Sequence, residues 1–369
     1  MGIIIVDEVF SFYKGKKVLL TGHTGFKGTW LSKMLTDAGA EVLGYSRCSV
    51  KDPDFFALSG VEQALTHVRG DVRDLARLEQ VFQSFQPELV FHLAAQPIVL
   101  ESYVNPVETF ETNVMGTVNV LECIRQTPSV KSAVIVTTDK VYRNDGRVEG
   151  FREGDVLDGF DPYSNSKACA ELATASYRRS FPAALPPIST ARAGNVLGGG
   201  DFAKDRIIPD CVRAVRRGEP VIVRNKHAVR PFQHVLEALS AYLLIAERQY
   251  ADPALAGCWN VGPEDADCVT AGELVTLFCK HWGEGATWVD QSDPDAPHEA
   301  AFLKLDHSRI TAALGWRPRW DIGTCIEQTC RWYRTWLDGG EVAAEMAREI
   351  DLYLNGQGAT AIESDPHFG

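Results

Sequence analysis

The chain has 369 residues, of which 45% are hydrophobic and 23% charged, and its formal net charge is -12. This length predicts two domains or one large one, and the composition is that of a folded globular protein. The acidic excess argues against nucleic acid or an anionic membrane as the main partner, so an anionic ligand would need local arginines and helix ends.

The N-terminal segment and the cysteines set expectations about the compartment. Residues 1–17 hold only a short apolar run before Asp7, without the basic start and long apolar stretch of a secretion signal. No window approaches the ~18 apolar residues of a membrane span. The nine cysteines are scattered without a CxxC pair, which predicts reduced thiols and neither disulfides nor a metal site. We therefore expect a cytoplasmic protein without a bound metal.

The first half of the chain alternates short β-branched runs with stretches of helical pattern. Such stretches include FKGTWLSKMLTDAG and NSKACAELATASYRRSF. Strands that alternate with helices in this way form right-handed βαβ units, which predicts an α/β fold with a doubly wound parallel sheet of Rossmann type. The strand-like runs occupy residues 16–22, 40–46, 65–71, 88–95, 132–138 and 188–196.

Beyond about residue 196 the pattern changes, because prolines divide the chain into shorter pieces. This texture predicts a smaller mixed substrate-binding domain that covers the carboxyl edge of the sheet, where open α/β folds bind ligands. The predicted division assigns residues 1–187 to the first domain and 188–369 mainly to the second. The chain is expected to return to the first domain near 230–240 and 255–262.

The stretch VLLTGHTGFKGTWL places three glycines with GxxGxxG spacing after the first strand and at the start of a helix. The first glycine permits a tight turn, the second a close approach of a pyrophosphate, and the third close packing of helix on strand. This context predicts a dinucleotide site, with an incidental turn as the alternative. The predicted cofactor contacts in the turn are Gly22, His23, Thr24, Gly25, Phe26, Lys27 and Gly28.

The ends of the next strands contribute to the same predicted site. The second strand ends in Ser46 and Arg47, where an Asp or Glu would select NAD. Three roles are therefore open for Arg47: it receives the 2′-phosphate of NADP, it stacks on adenine, or it points to solvent. Asp71 bonds the adenine amine or caps the following helix. Small side chains after the fourth strand let the backbone lie against the cofactor, or serve packing alone. The further predicted contacts are Val72, Leu93, Ala94 and Ala95.

Two stretches carry the predicted catalytic groups. In DPYSNSKACAEL, Tyr163 and Lys167 stand four residues apart on one helix face. The ammonium is expected to lower the pKa of the phenol, so that Tyr163 exchanges a proton near neutral pH, and an incidental surface pair is the alternative. VTTDKVY sets Thr138, Asp139 and Lys140 at the carboxyl end of a strand. Because Tyr163, Lys167 and Thr138 suffice to oxidise an alcohol, the remaining acid/base pair predicts a second proton transfer, or else is a loop ion pair.

These motifs resemble the extended short-chain dehydrogenases/reductases and, among them, the nucleotide-sugar 4,6-dehydratases, most closely those that act on CDP-glucose. Other 4,6-dehydratases often carry Thr-Asp-Glu where this chain has Thr138-Asp139-Lys140, which supports the CDP-glucose type. The first and sixth of the matching stretches are specific to that subgroup, whereas YxxxK occurs throughout the superfamily. The matching stretches are TGHTGFKGTWL, LAAQPIV, NPVETFETNVMGTVNVLE, TTDKVY, DPYSNSKACAEL, ARAGNVLGGGDFAKDRIIPD, RPFQHVLE and HEAAFLKLD.

The resemblance implies an NAD-dependent hydro-lyase that forms a 4-keto-6-deoxy sugar from CDP-glucose. Tyr163 would take the proton of the 4-hydroxyl, while Lys167 holds the nicotinamide ribose and Thr138 orients the substrate. Lys140 would take the carbon-5 proton and Asp139 would protonate the departing 6-hydroxyl, although these two labels are exchangeable.

The resemblance also implies a homodimer, formed by a two-fold packing of the stretches 105–125 and 162–180 between subunits. A buried packing within one chain would look the same in sequence.

The resemblance places most substrate contacts in the second half of the chain. Arg206 and Arg230 would set their guanidinium forks on the diphosphate, and solvated surface residues are the alternative. His298 and Glu299 close the site or belong to a plain loop. The predicted substrate contacts are Gln96, Asn195, Arg206, Arg230, His234 and His298.

The sequence departs from the family pattern at two places, and two other functions are compatible with the motifs. Leu100-Glu101 stands where the family commonly has an arginine, and residues 141–151 replace a loop that contains a tryptophan. The rivals are another nucleotide-sugar dehydratase or 4-epimerase of the same fold, and a non-catalytic dinucleotide sensor. The Asp139-Lys140 pair argues against an epimerase, which needs no second acid/base pair.

Overall fold

A computed structural model describes residues 6–47, 52–283, 285–292 and 302–356. The strands are β1 (Lys17–Thr21), β2 (Glu41–Ser46), β3 (Thr66–Arg69), β4 (Leu89–His92), β5 (Ser132–Val136), β6 (Ile188–Ala193), β7 (Val196–Leu197), β8 (Val221–Val223), β9 (Val229–Arg230), β10 (Gln233–His234), β11 (Cys258–Val261), β12 (Val269–Thr270) and β13 (Trp288–Asp290). The α-helices are α1 (Val6–Tyr13), α2 (Phe26–Asp37), α3 (Phe55–Leu58), α4 (Leu75–Phe85), α5 (Val99–Val104), α6 (Pro106–Phe110), α7 (Gly116–Gln126), α8 (Pro162–Ser180), α9 (Ile207–Arg216), α10 (Val235–Ala251), α11 (Ala271–Trp282), α12 (Ser308–Leu314), α13 (Ile322–Leu337) and α14 (Val342–Leu354). A π-helical turn at Glu111–Met115 joins α6 to α7.

Seven strands form one parallel sheet in the order β11-β6-β5-β4-β1-β2-β3. The strand order reverses between β1 and β4, and a crevice opens at such a switch point outside the carboxyl ends of the strands. The predicted α/β fold with a doubly wound parallel sheet is confirmed.

The residues of β1 alternate between two hydrophobic clusters, one on each face of the sheet. Val18 and Leu20 pack in the cluster that contains α2 and α10, whereas Leu19 packs in the cluster that contains α4 and α7. A strand that is buried on both faces has no need for polar alternation. This burial explains why the central strands read as continuous apolar runs in the sequence.

The second half of the chain adds three two-stranded sheets, β7 with β10, β9 with β12, and β8 with β13. Helices α9, α11 and α13 pack together beside them. β6 begins at Ile188, directly after the predicted division, and belongs to the central sheet. β11, which pairs with β6, lies within the expected return near 255–262.

Among the described residues, no helix combines the length and the apolar character that a bilayer crossing requires. The eight cysteines in the described ranges are all free.

Candidate active site

A cleft of about 1420 Å³ runs along the carboxyl edge of the central sheet. Its inner end is formed by Thr138, Asp139, Tyr163 and Lys167, each at most 9% exposed. Its outer end, where β2 and β3 finish, carries Arg47 and Asp71 in its wall. Of the predicted residues, those that line the cleft are Gly22, Thr24, Gly25, Phe26, Lys27, Gly28, Ser46, Arg47, Asp71, Val72, Leu93, Ala94, Ala95, Thr138, Asp139, Lys140, Tyr163, Lys167, Asn195, Arg206 and Arg230.

The glycine turn lies in the floor of the cleft. Gly22 has a φ of +77°, and a Cβ there would lie 2.7 Å from the backbone nitrogen of Ala94. A Cβ on Gly28 would lie 2.2 Å from the carbonyl oxygen of Gly22. Gly25 precedes α2 without a side-chain cap, and the first turn of α2 has no acidic residue. Close backbone approach and the free N–H groups of a helix start fit the pyrophosphate of a dinucleotide.

The side chain of His23 does not belong to the cleft wall. It is fully buried beneath β2, and its Nε2 lies 2.7 Å from Nδ1 of His67. A Cβ on Gly44 would lie 2.3 Å from the His23 ring. Burial, helped by the charge of His67, lowers the pKa of His23 to about 3. The His23 side chain therefore has a packing role, and only the backbone of this residue is left for the predicted cofactor contact.

Two other members of the turn have partners across the cleft floor. Thr24 and Ser46 share a hydrogen bond of 2.9 Å between their hydroxyls. Lys27 donates to the Tyr242 hydroxyl at 3.2 Å. Burial, followed by the charge of Arg206, lowers the pKa of Lys27 to about 7. The positive charges of Arg206, Lys167 and Lys140 therefore disfavour the protonated form of Lys27.

At the inner end, the carboxylate of Asp139 holds two neighbouring side chains. Asp139 is fully buried, and its Oδ1 accepts hydrogen bonds from Thr138 Oγ1 at 2.8 Å and from Lys140 Nζ at 3.4 Å. Lys140 Nζ also donates to Oδ1 of Asn195 at 3.0 Å. Asp139 Oδ2 is buried without a hydrogen-bond partner in the described ranges. Asp139 and Lys140, the predicted second acid/base pair, therefore lie in the same cleft as Tyr163.

The expected fall in the pKa of Tyr163 is wrong, because the net shift has the opposite direction. Burial raises the pKa of Tyr163 to about 12, although a hydrogen bond from Thr138 and the charge of Arg206 oppose the rise. Lys167 Nζ donates to the carbonyl oxygen of Val136 at 3.0 Å. Its own pKa is lowered to about 8 by burial. Desolvation of the phenol therefore outweighs the charges around it.

A buried ion pair that was not predicted from the sequence supports the inner end. Glu171 accepts from Arg192 Nη2 at 2.8 Å and from Thr190 Oγ1 at 2.7 Å. It also accepts from the hydroxyl of Thr137. The charge of Glu171 opposes the fall in the pKa of Lys167. Its place four residues after Lys167, on the same helix face, was the available signal.

The predicted substrate arginines lie in the cleft wall. Arg206 precedes α9, and its Nη1 lies 3.6 Å from Oδ2 of Asp201. Arg230 is buried, and its Nη1 donates to the carbonyl oxygen of Val229 at 2.8 Å. The two guanidinium groups therefore reach the cleft from different elements of the second half.

Two predicted substrate residues do not line the cleft. His234 is fully buried, with its Nε2 2.7 Å from Oε1 of Glu349. Gln96 uses its side chain to hold its own turn, because it donates to Thr109 Oγ1 at 2.9 Å and accepts from Ile98 N at 2.6 Å. Both side chains have internal partners and serve the packing of the fold. His298 and Glu299 lie outside the described residues.

Further cleft residues were not singled out from the sequence. Asp201 and Lys204 lie within the stretch GGGDFAKDRIIPD, which was the available signal. The other cleft residues from the second half of the chain lie mostly outside any motif that was recognised in the sequence. The additional lining residues of the second half include Asp205, Arg213, Arg217, Glu219, Val221, Ile222, Val223, Arg224 and Asn225.

The two sequence departures have different surroundings. Leu100 lines the cleft and is 55% exposed. In the second departure, the Tyr142 and Phe151 rings stack at 5.1 Å, and the Tyr142 hydroxyl donates to Oδ1 of Asn260 at 2.6 Å. Part of this loop is therefore packed against β11.

Four charged residues form what we call the outer-end cluster, Arg47, Asp71, Arg73 and Glu108. Arg47 Nη1 donates to Oε1 of Glu108 at 2.7 Å and lies 3.8 Å from Oδ2 of Asp71. Arg73 donates from Nη2 to Asp71 Oδ2 at 2.8 Å. All four side chains are between 25% and 48% exposed. Solvent therefore reaches this end of the cleft far more than the inner end.

No group of three or more histidine, cysteine or acidic side chains in the described ranges is arranged to hold a metal ion.

The chain is similar to known proteins over most of its length. A family model described as GDP-mannose 4,6 dehydratase matches residues 19–329. The chain is 43% identical to the CDP-glucose 4,6-dehydratase of Salmonella typhimurium over 352 residues, which cover 94% of this chain and 98% of that protein.

Two solved structures illustrate the similarity of fold. A UDP-glucose 4-epimerase of Thermus thermophilus, in complex with NAD, is 27% identical with a TM-score of 0.75, over 86% of this chain and 98% of that one. A dTDP-glucose 4,6-dehydratase of Streptomyces venezuelae, solved with NAD bound, is 24% identical with a TM-score of 0.73, over 88% and 98%.

Proposed function

The chain belongs to the GDP-mannose 4,6-dehydratase family, and from that premise we propose that it converts CDP-glucose into CDP-4-dehydro-6-deoxyglucose with NAD as cofactor. The reaction removes water without net redox change, so the enzyme is a hydro-lyase. The 43% identity to the Salmonella enzyme supports CDP-glucose as the substrate. The observation that carries the proposal is the Asp139–Lys140 pair beside Thr138 and Tyr163 in one cleft.

The glycine turn supports the cofactor assignment. The tight backbone contact of Gly22 with Ala94 and the uncapped start of α2 leave room for a pyrophosphate. When bound, NAD supplies the hydride acceptor for carbon 4 of the sugar and the hydride donor for carbon 6. Lys167, which donates to the Val136 carbonyl, would hold the nicotinamide ribose.

In the oxidation half of the reaction, Tyr163 takes the proton of the 4-hydroxyl. Its pKa of about 12 means that the phenol holds its proton at neutral pH unless positive charge and hydrogen bonds favour the phenolate. Thr138 and Arg206 are the groups of the chain that act in this direction. Thr138 would also orient the substrate hydroxyl.

In the elimination half of the reaction, Lys140 and Asp139 each move one proton. Lys140 accepts the carbon-5 proton, which the adjacent 4-ketone has acidified, and a carbon–carbon double bond forms as the 6-hydroxyl leaves. Asp139 gives its proton to that hydroxyl, so that water departs. The unpartnered Oδ2 of Asp139 and the contact of Lys140 with Asn195 support this division of labour. Lys140 then returns a proton to carbon 5, and the enzyme is restored when Tyr163 loses to solvent the proton of the 4-hydroxyl and Asp139 takes one up.

Two arginines from the second half support the recognition of a diphosphate. Arg206 and Arg230 reach the cleft wall, and guanidinium forks match phosphate oxygens in pairs. Because the whole chain carries a net charge of -12, these local positive groups have to supply the attraction.

A panel of sugar nucleotides tests the proposal. The protein is incubated with NAD and with CDP-, UDP-, GDP- or dTDP-glucose, and the ketone product is identified by mass spectrometry. We expect the highest kcat/KM with CDP-glucose and a product lighter than the substrate by one water. A preference for another nucleotide would contradict the substrate, and a product of unchanged mass would contradict the reaction.

A 4-epimerase is the second candidate, because a UDP-glucose 4-epimerase shares the fold at 27% identity. An epimerase oxidises and reduces the same carbon and needs no acid for a departing hydroxyl. The contact of Lys140 with the buried Asp139 carboxylate favours the dehydratase.

An exposed apolar surface supports assembly as a homodimer, and the cysteines support a cytoplasmic location. Val107 is 70% exposed and Met115 is 51% exposed, and beside them lies an almost entirely apolar depression lined also by Phe110 and Cys169. Exposed apolar area of this kind on adjoining helices suits a second copy of the chain. The free thiols suit a reducing compartment.

Light scattering after size exclusion tests the dimer. We expect twice the mass of the 40.6 kDa chain, and half of that mass for Val107→Glu. Val156→Glu is the matched control, since Val156 is 57% exposed and lies outside the depression. A monomeric wild type would refute the dimer.

A further inference from the structure

The outer end of the cleft lacks the acidic residue that normally follows the second strand of a dinucleotide-binding sheet. β2 ends in Ser46, and Arg47 comes next. In this fold an acidic side chain there binds the 2′-hydroxyl of NAD, whereas an arginine accommodates the 2′-phosphate of NADP. Taken alone, Arg47 would therefore favour the phosphorylated cofactor.

Arg47 is already engaged by a carboxylate from another part of the chain. Glu108, on α6, accepts from Arg47 Nη1 at 2.7 Å. The hydrogen bond from Arg47 lowers the pKa of Glu108, so Glu108 is ionised at neutral pH. An acidic group is thus present at this end of the cleft, although it comes from α6 and not from β2.

We propose that Glu108 is a specificity-determining residue that makes the protein select NAD over NADP by occupying Arg47. The inference rests on the proposed use of a nicotinamide dinucleotide. A 2′-phosphate has to displace Glu108 from Arg47 before it can bind there. The 2′-hydroxyl of NAD carries no charge and requires no such displacement.

The surrounding charges act in the same direction. Asp71 lies 3.8 Å from Arg47, and Arg73 pairs with both Asp71 and Glu111. The carboxylates of Asp71, Glu108 and Glu111 and the guanidinium groups of Arg47 and Arg73 sum to one negative charge. A phosphate monoester carries about -1.5 to -2 at neutral pH, so it is repelled by the ensemble even where Arg47 attracts it.

The partial exposure of the pair limits the size of the effect. Arg47 is 48% exposed and Glu108 is 42% exposed, and ion pairs in such surroundings contribute up to about 1 kcal/mol. Release of Arg47 should therefore raise NADP affinity by about fivefold, the factor that ~1 kcal/mol represents.

The test measures NAD and NADP dissociation constants by titration calorimetry, without turnover. We expect Glu108→Gln to bind NADP about fivefold more tightly than the wild type and NAD with little change. Glu111→Gln is the matched control, because it removes the same charge nearby but contacts Arg73 instead of Arg47. In the double variant Arg47→Ala, Glu108→Gln, the gain in NADP affinity should disappear.

Three results would overturn the inference: no gain in NADP affinity in Glu108→Gln, an equal gain in Glu111→Gln, or a gain that survives the removal of Arg47. If the wild type binds neither dinucleotide, the proposed cofactor itself is refuted. Normal NAD binding with an unchanged NADP constant in Glu108→Gln refutes only the role of Glu108.

Discussion

The two ends of the cleft hold charged groups in opposite surroundings. At the inner end Asp139 and Lys167 are almost completely buried, whereas at the outer end Arg47 and Glu108 are nearly half exposed. Water screens exposed pairs, while a buried charge without its partner is costly. We therefore expect changes at the inner end to alter rate and stability strongly, and changes at the outer end to adjust affinity by small factors.

The largest effect that this comparison predicts is the loss of the Tyr163 hydroxyl. Tyr163→Phe removes the proton carrier but keeps the ring that fills the buried site, so kcat should fall by about 10³-fold. NAD affinity and the unfolding transition should stay close to those of the wild type. Turnover is measured with CDP-glucose, and a near-normal rate would remove Tyr163 from the chemistry.

The second prediction concerns the ion pair behind the inner end. Arg192→Met leaves Glu171 buried without its charged partner, which should reduce the free energy of unfolding by about 3 kcal/mol. Arg73→Met at the outer end is the control, because its partner Asp71 stays hydrated and the expected loss is below about 1 kcal/mol. Urea denaturation measures both variants. Equal losses would break the contrast between the two ends.

The third prediction uses pH to compare a buried histidine at the end of β4, His92, with Glu108 of the outer end. Burial, followed by the charge of Lys167, lowers the pKa of His92 to about 3, while an unfolded histidine titrates near 6.5. The unfolded chain therefore binds one more proton than the native state between these values. The contribution of His92 to stability is complete above about pH 6.5 and falls by about 1.4 kcal/mol for each pH unit below it.

Unfolding free energies at several pH values check this prediction. Between pH ~6 and ~5, His92→Gln should show a slope about 1.4 kcal/mol per pH unit shallower than the wild type. Glu108, whose pKa is lowered by Arg47, contributes stability that is lost only as the pH falls below the unfolded glutamate value of about 4.3. Glu108→Gln should therefore leave this part of the profile unchanged. Parallel profiles for the wild type and His92→Gln would contradict the assignment.

Much of the fold and of the inner end could be predicted because the signals are local in sequence. Strand runs, helix periodicity and the turn from Gly22 to Gly28 each depend on residues within a few positions of one another. The spacing of Tyr163 and Lys167 likewise follows from one helix. These features needed no knowledge of distant contacts.

Of the predicted site residues whose side chains do not line the cleft, the two described histidines have distant partners. His23 pairs with His67 and His234 pairs with Glu349, so neither side chain is available to the cleft. Nothing in the neighbouring sequence of either histidine reveals that partner. The same holds for the pKa of Tyr163, because burial depends on how the whole cleft closes around the ring.

The most direct test of the central claim, that Asp139 and Lys140 carry out a second proton transfer, is Lys140→Met mixed with NAD and CDP-glucose. The variant keeps Tyr163, Lys167 and Thr138, so bound cofactor should become reduced while the 4-keto-6-deoxy product falls by about 10²-fold or more. Absorbance of the reduced nicotinamide and mass spectrometry of the product follow the two steps in one reaction, and NAD affinity is measured on the same sample. Product at the wild-type rate would contradict the claim.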